Sequence, residues 1–326
     1  MAKTRDMKRI LVTGSVGQIG SELTLALRKR FGAANVIATG RKTAPSEELR
    51  NSGPFEFIDV AKHETVERVV DKYKVDSIVH MAAILSAVGE QKPQLAWDVN
   101  INGLYNVLEV AREREMVRVV VPSSIAAFGP ETPRDNTPND TILKPRTMYG
   151  VTKVAGELLG DYYFRRFGLD VRGLRYPGII SHETLPGGGT TDYAVAIYYE
   201  AVRSGRYTCF VREDTRLPMM YMPDCIKATI DLAGAPLENL RHHCDFNVGA
   251  MSFSAGELAA SIRKRMPGFE CSYVPDFRQQ IADSWPSSLD DSAAREEWGW
   301  RPEYDLDAMT AEMLDVLGRR HKEGKL

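Results

Sequence analysis

Cysteine is scarce and scattered in this chain of 326 residues: Cys209, Cys225, Cys244 and Cys271 lie far apart with no Cys-x-x-Cys pair. Such spacing argues against a disulfide framework and against a zinc site, and it fits structural thiols in a reduced compartment. No apolar run reaches membrane-spanning length, so no membrane partner is expected. The start, Met1-Ala2-Lys3-Thr4-Arg5, is basic but runs straight into a strand, and with no secretion signal the expected compartment is the cytoplasm. Neither sign of charge dominates. With 42 Lys and Arg against 44 Asp and Glu, a net charge of -2 and a pI near 6.3, there is no nucleic-acid footprint. Internal repeats, low-complexity tracts and flexible linkers are also missing. What remains is a chain with 43% hydrophobic residues, enough to bury a full core in one large or two modest domains, and small-molecule chemistry as its natural class.

Short apolar runs and amphipathic stretches alternate along the first half. A strand over Arg9 to Thr13 ends in Gly14-Ser15-Val16-Gly17-Gln18-Ile19-Gly20, and an amphipathic helix with Leu23 and Leu27 follows. Glycines there permit positive φ and close approach of a ligand to the backbone, while a helix N-terminus offers N–H groups to a pyrophosphate. Gly14, Gly17, Gln18, Ile19 and Gly20 are therefore cofactor candidates, although Gly-x-x-Gly-x-x-Gly departs from the usual dinucleotide spacing.

The second strand, Val36 to Thr39, leads into Gly40-Arg41-Lys42, where an NAD-binding protein usually carries an acid that accepts from the adenosine ribose. Arg41 or Lys42 could pair with a 2′-phosphate or be solvated loop residues, so NAD is expected and NADP is not excluded. Strands at Phe55 to Ile58, Ser77 to His80, Arg118 to Val121 and Asp170 to Leu174 complete a pattern that predicts an α/β fold. The expected architecture is a doubly wound parallel Rossmann sheet with a smaller, discontinuous α/β substrate lobe, ligands lying at the carboxyl ends of the strands. Those ends supply the remaining cofactor candidates, Asp59, Val60, Met81, Ala82, Ala83, Asn100, Tyr176, Pro177 and Ile179. Residues 1-180 plus 222-250 are assigned to the dinucleotide-binding domain, and 181-221 plus 251-326 to the substrate-binding lobe. Phe253 to Leu258 reads as a capping box with a hydrophobic staple, opening a helix that Pro267 ends, and a last helix is expected over about Leu306 to Leu317.

Tyr149-Gly150-Val151-Thr152-Lys153 places a phenol and an ammonium one helical turn apart. A neighbouring cation favours phenolate, so Lys153 is expected to lower the phenol's pKa below its ordinary value of about 10. By spacing alone the pair could equally be a Tyr packed on a Lys stem. Ser123 is read as a hydroxyl satisfied by backbone. His242 and His243 are read as surface residues, and Met219 and Met220 as apolar wall.

The glycine turn, Ser124, Tyr149 and Lys153 together resemble an extended short-chain dehydrogenase/reductase, the group that includes nucleotide-sugar epimerases. Further stretches are similar to the epimerase-like L-threonine 3-dehydrogenases: Leu85 to Glu90, Pro122 to Pro130, Arg175 to Ser181, Pro186 to Ala194, Leu217 to Met222 and Asp283 to Pro286. The resemblance spans nearly the whole chain. It implies oxidation of the side-chain hydroxyl of L-threonine with NAD, giving 2-amino-3-oxobutanoate, with no metal. It implies Tyr149 as base, Lys153 as its cationic partner and Ser124 as donor to the substrate oxygen. It also implies a homodimer built on the helices after the fourth and fifth strands. Gly189, Thr190, Thr191, Ser86 and Trp285 are candidates for the amino-acid head group and the pocket wall. Thr190 could instead cap a helix, Trp285 could be a core aromatic, and Asp192 could balance the substrate ammonium or sit as a solvated first-turn acid. Two other readings share these residues: a nucleotide-sugar epimerase or dehydratase, and a dinucleotide-sensing protein without chemistry.

Overall fold

A computed structural model describes residues 5–183, 185, 187 and 189–326; Met1 to Thr4 of the basic start, and Thr184, Pro186 and Gly188 before the threonines, lie outside the described residues. Six parallel strands form the central sheet in the order Phe55–Phe57, Val36–Gly40, Ile10–Thr13, Ser77–His80, Arg118–Val120, Val171–Arg172. The expected doubly wound Rossmann sheet is thus present. Its strands are apolar on both sides because helices cover both faces. On one face Leu11, Ile37, Ile78 and Val119 pack with Val66, Val69, Val107 and Leu108, and on the other Ile10, Val12, Val36, Val79 and Val120 pack with Leu23, Leu27 and Ala233.

Two of these strands are broken rather than continuous. Pro122 cannot donate to a neighbour, and at Gly173 a Cβ would lie 2.6 Å from the carbonyls of Cys244 and Val121. The chain shifts across both residues and re-forms a second parallel sheet, with Leu174–Tyr176 between Ser123–Ser124 and Phe246–Asn247. The strand expected to run from Asp170 to Leu174 therefore divides at Gly173. Ser123 faces Arg175, and Ser124 faces Tyr176, in register across this second sheet.

A third sheet, Met251–Ser254, Arg216–Tyr221 and Gly178–Ile180, backs a separate apolar cluster that includes Tyr193, Tyr198, Leu217, Met219, Leu258 and Met313. Met219 and Met220 are fully buried, as expected of apolar wall. The capping box forms: Ser254 Oγ accepts from Glu257 N at 3.1 Å and Ser254 N donates to Glu257 Oε2 at 2.7 Å. That helix, Ala255–Arg265, stops before Pro267. The last helix is longer than the periodicity indicated, Leu306–Lys322, because Arg319, Arg320, His321 and Lys322 suit the negative end of its dipole.

One reading is corrected. His243 is buried, not a surface residue: its ring lies 3.7 Å from that of Phe164, and its carbonyl accepts from Gly173 N. His242 is half-buried, with Nδ1 2.6 Å from Glu297 Oε1. Cys209, Cys225 and Cys244 are buried free thiols and Cys271 is partly buried. Among the described residues no helix is long and apolar enough to cross a membrane, and no His, Cys, Asp and Glu cluster could hold a metal ion.

Candidate active site

The glycine turn is a piece of backbone packing first. Gly14 has φ 67°, a conformation side chains other than glycine rarely adopt, and a Cβ on it would lie 2.7 Å from Ala82 N. Gly20 is tighter still, since its Cβ would meet the Gly14 carbonyl at 2.2 Å. These two residues close the turn against itself and against the end of the fourth central strand. Gly17 instead caps the helix Gln18–Phe31 with no side chain of its own, and no acid stands in the first turn. The first N–H groups of that helix have no intrahelical acceptor, so this donor set suits an anionic diphosphate.

At the neighbouring strand end, Gly40 is hemmed in. A Cβ there would come within 3.2 Å of the Phe55 ring and 3.3 Å of Val16, so a side chain at this position needs those neighbours to give by a few tenths of an ångström. Arg41 and Lys42 are exposed. Asp59 Oδ1 accepts from Ala61 N at 3.2 Å, and Val60 is buried against Gly103. Gly14, Gly17, Gly20, Arg41, Asp59 and Val60 do not line the two cavities described next.

Those cavities meet at Tyr149. The inner one is walled by Met81, Ala82, Ala83, Asn100, Lys153 and Glu157; the outer by Gln18, Ser86, Ser124, Pro177, Ile179, Gly189, Thr190, Thr191 and Trp285. Ile19, Leu85, Ser123, Tyr149 and Tyr176 belong to both. Asn100 sits in a π-helical turn, Asp98–Asn102, and locks the adjoining loop: its Oδ1 accepts from Ile84 N at 2.7 Å and its Nδ2 donates to Ile84 O at 3.0 Å and Thr152 Oγ1 at 3.0 Å. The Tyr176 hydroxyl is engaged with Thr229, so Tyr176 offers the cavities its ring.

Tyr149 and Lys153 both come from the helix Met148–Phe167, which Thr147 caps by accepting from Gly150 N at 3.1 Å. Burial pushes the Tyr149 phenol up to about 12, and the nearby Ser124 hydroxyl, which favours the phenolate, opposes this only in part. The expected lowering by Lys153 is therefore corrected. The ammonium lies 5.3 Å from the centroid of the Tyr149 ring and donates to Pro122 O at 2.7 Å, rather than standing at the phenol oxygen. Burial lowers Lys153 itself to about 8, with Glu157 opposing.

On the outer side the helix Tyr193–Ser204 begins immediately after residues 190 to 192, with Asp192 at its cap position. Thr190 is thus not the cap. It is buried, with Oγ1 3.5 Å from Ser86 Oγ, so these two hydroxyls from distant segments converge. Asp192 Oδ2 accepts from Gly189 N at 2.6 Å, folding the turn that presents the threonines. Trp285 fills both roles considered for it, core aromatic and cavity wall, at 5% exposure.

Ser123 is also corrected. Its hydroxyl goes not to backbone but to the buried carboxylate of Glu157. Glu157 and Arg175 were not foreseen as part of the site, and neither was His80, which lines the inner cavity. His80 Nδ1 lies 2.9 Å from Thr13 Oγ1, and burial lowers its pKa to about 3. Glu157 carried a readable signal, since it follows Lys153 by one helical turn and Tyr149 by two. Arg175 and His80 carried none, because only the fold brings them there.

The profile of the NAD dependent epimerase/dehydratase family matches residues 10–249. The chain is 49% identical to the mitochondrial L-threonine 3-dehydrogenase of Bos taurus over 96% of this chain and 83% of that one. It is 50% identical to an uncharacterized epimerase/dehydratase of Staphylococcus haemolyticus, covering 97% of this chain and 99% of the other. Among solved structures, the L-threonine dehydrogenase from Clostridium difficile superposes with a TM-score of 0.95 at 52% identity, over 97% of this chain and 99% of that one.

Proposed function

The chain belongs to the NAD dependent epimerase/dehydratase family, and from that premise we propose that it oxidises L-threonine at the side-chain hydroxyl to 2-amino-3-oxobutanoate. The observation that carries this reading is Tyr149 at the seam of two cavities, with Lys153 on the inner side and Ser86, Ser124 and Thr190 on the outer. In this reading residues 1-180 plus 222-250 hold the dinucleotide, and 181-221 plus 251-326 supply the substrate lobe. NAD is the expected dinucleotide, and Arg41 and Lys42, exposed at the end of the second strand, are the cations a 2′-phosphate would meet.

Bound NAD would supply the acceptor for hydride from the carbinol carbon, and a positive ring charge beside the phenol. Tyr149 takes the hydroxyl proton, Ser124 donates to the same oxygen and holds it against the phenol, and Lys153 supplies cationic charge on the inner side. Tyr149 has about five pH units to fall from its buried value if it is to act as base at neutrality, a demand of about 7 kcal/mol. The effect of Ser124 is already contained in that value, so the charges of the loaded site carry the fall. Thr190, Thr191 and Ser86 offer hydroxyls to the substrate carboxylate, and Trp285 closes the wall against bulkier ligands.

Purified protein given L-threonine and NAD is expected to build up reduced nicotinamide absorbance, with slower turnover on NADP. Turnover of a nucleotide sugar with none of threonine would move the reading to an epimerase.

A homodimer in the cytoplasm completes the proposal. Trp97, Tyr105, Leu158 and Tyr162 project exposed apolar groups from helices Pro93–Trp97, Gly103–Glu113 and Met148–Phe167, and Leu158 is 66% exposed. A second copy would cover this stripe. Sedimentation should give a dimer that Leu158→Glu converts to monomer, whereas a monomeric parent protein would refute the pairing.

A further inference from the structure

We propose that Glu157 is a positioning residue for the reaction: gripping Ser123 and Arg175 at once, it ties the helix of Tyr149 and Lys153 to the strand row that carries Ser124. This inference rests on the functional reading above and adds a residue to it.

Tyr149, Lys153 and Glu157 lie on one face of the helix Met148–Phe167, all three on the inner cavity. Arg175 holds the carboxylate in a fork, Nε to Oε1 at 2.9 Å and Nη2 to Oε2 at 2.8 Å. Ser123 donates to Oε1 as well. Ser123, Arg175 and Asn247 are register partners across the second sheet, and Arg175 Nη1 continues to Asn247 Oδ1 at 3.2 Å and Asn139 O at 2.7 Å. One carboxylate thus fixes the row immediately preceding Ser124 and Tyr176. It fixes Lys153 through the same strand, because the ammonium donates to the carbonyl of Pro122, the residue before Ser123.

Stability alone is a poor reason for such an arrangement. Glu157 and Arg175 are 7% and 2% exposed, and a buried ion pair is often no more stabilising than apolar residues of the same volume. What it secures is geometry: the strand break at Pro122 leaves Ser124 outside the central sheet, so its placement against Tyr149 needs a tie of its own. Electrostatics act in the same direction. The groups facing Lys153 are Glu157 on its own helix, His80 from the strand Ser77–His80, Tyr149, and Tyr176 and Cys244 across the cavity, with Arg175 behind Glu157. His80 is neutral, which leaves Glu157 as the negative charge that favours the ammonium.

Three measurements test this. In Glu157→Gln, kcat with threonine and NAD should fall about tenfold with KM for threonine within about twofold, as for a group acting on the reacting geometry rather than on binding. The alkaline limb of the pH profile should move to lower pH by about one unit, since losing the carboxylate lets Lys153 deprotonate earlier. Independently of activity, NMR of protein labelled with 13C at lysine Cε, with Lys153→Met identifying the signal, should show the Lys153 midpoint falling below about 8 in Glu157→Gln without any dinucleotide. Ser123→Ala, which frees the strand without stranding a charge, should lower kcat about threefold or more and leave that midpoint in place. It carries the test should Glu157→Gln not accumulate as folded protein. Unchanged kcat in Ser123→Ala, or a Glu157→Gln profile that falls equally at all pH with an unmoved midpoint, overturns the proposal. A parent protein inactive on threonine, in which Glu157→Gln still moves the Lys153 midpoint, would defeat the functional reading and leave the tie standing.

Discussion

The glycine turn and the tyrosine helix serve neighbouring parts of one site by opposite means. In the turn, the side chains are absent because backbone needs the space: Gly20 sits where a Cβ would be 2.2 Å from a carbonyl, and Gly14 presses on Ala82. On the helix the backbone is ordinary, and everything depends on which groups distant segments bring to Tyr149, Lys153 and Glu157. Damage to the first should therefore read out as stability, and loss of the Tyr149 hydroxyl as chemistry at constant stability.

The sharpest break of that contrast is Tyr149→Phe. Turnover should fall by about 10³-fold or more, with the urea midpoint unchanged, because one hydroxyl is lost and its packing volume is kept. A comparable loss of stability would place Tyr149 among the structural residues instead. Next is Gly20→Ala, inside a helix where that change ordinarily stabilises by about 1 kcal/mol. Here it should destabilise by about 3 kcal/mol or more in chemical denaturation, the sign itself being the test. The smallest effect belongs to His80, which adjoins both regions. Its folded pKa, about 3, lies below the unfolded value of 6.5, so between those values the unfolded chain binds the extra proton. Stability is then fully present above pH 6.5 and is lost as pH falls, at about 1.4 kcal/mol per pH unit. His80→Gln should flatten that acid slope by one proton in denaturation series at several pH values; an unchanged slope would mean His80 is not held neutral.

The same contrast governs what could be read beforehand. Alternating apolar strands and helices, the glycine turn, and the spacing of Tyr149 and Lys153 are local patterns, and the sheet and the convergence on Tyr149 follow them. Ser123 could not be read correctly, because its partner Glu157 is 34 residues away and becomes a neighbour only when the helix packs on the strand. The direction of the Tyr149 shift was missed for a related reason. Sequence spacing puts an ammonium on the same helical face, but it does not say that the ammonium turns to Pro122 while burial dominates the phenol. Spacing puts Thr190 at the helix start, whereas Asp192, which also accepts from Gly189 N, takes the cap position and leaves Thr190 outside the helix.

Gly40 has a bearing on any attempt to retune dinucleotide choice. Because Phe55, Val16 and the Thr43 carbonyl crowd the space a side chain would need, an aspartate grafted onto position 40 alone would require these neighbours to give by a few tenths of an ångström. A workable redesign starts by trimming Phe55, on the adjacent edge strand, and only then installs the acid.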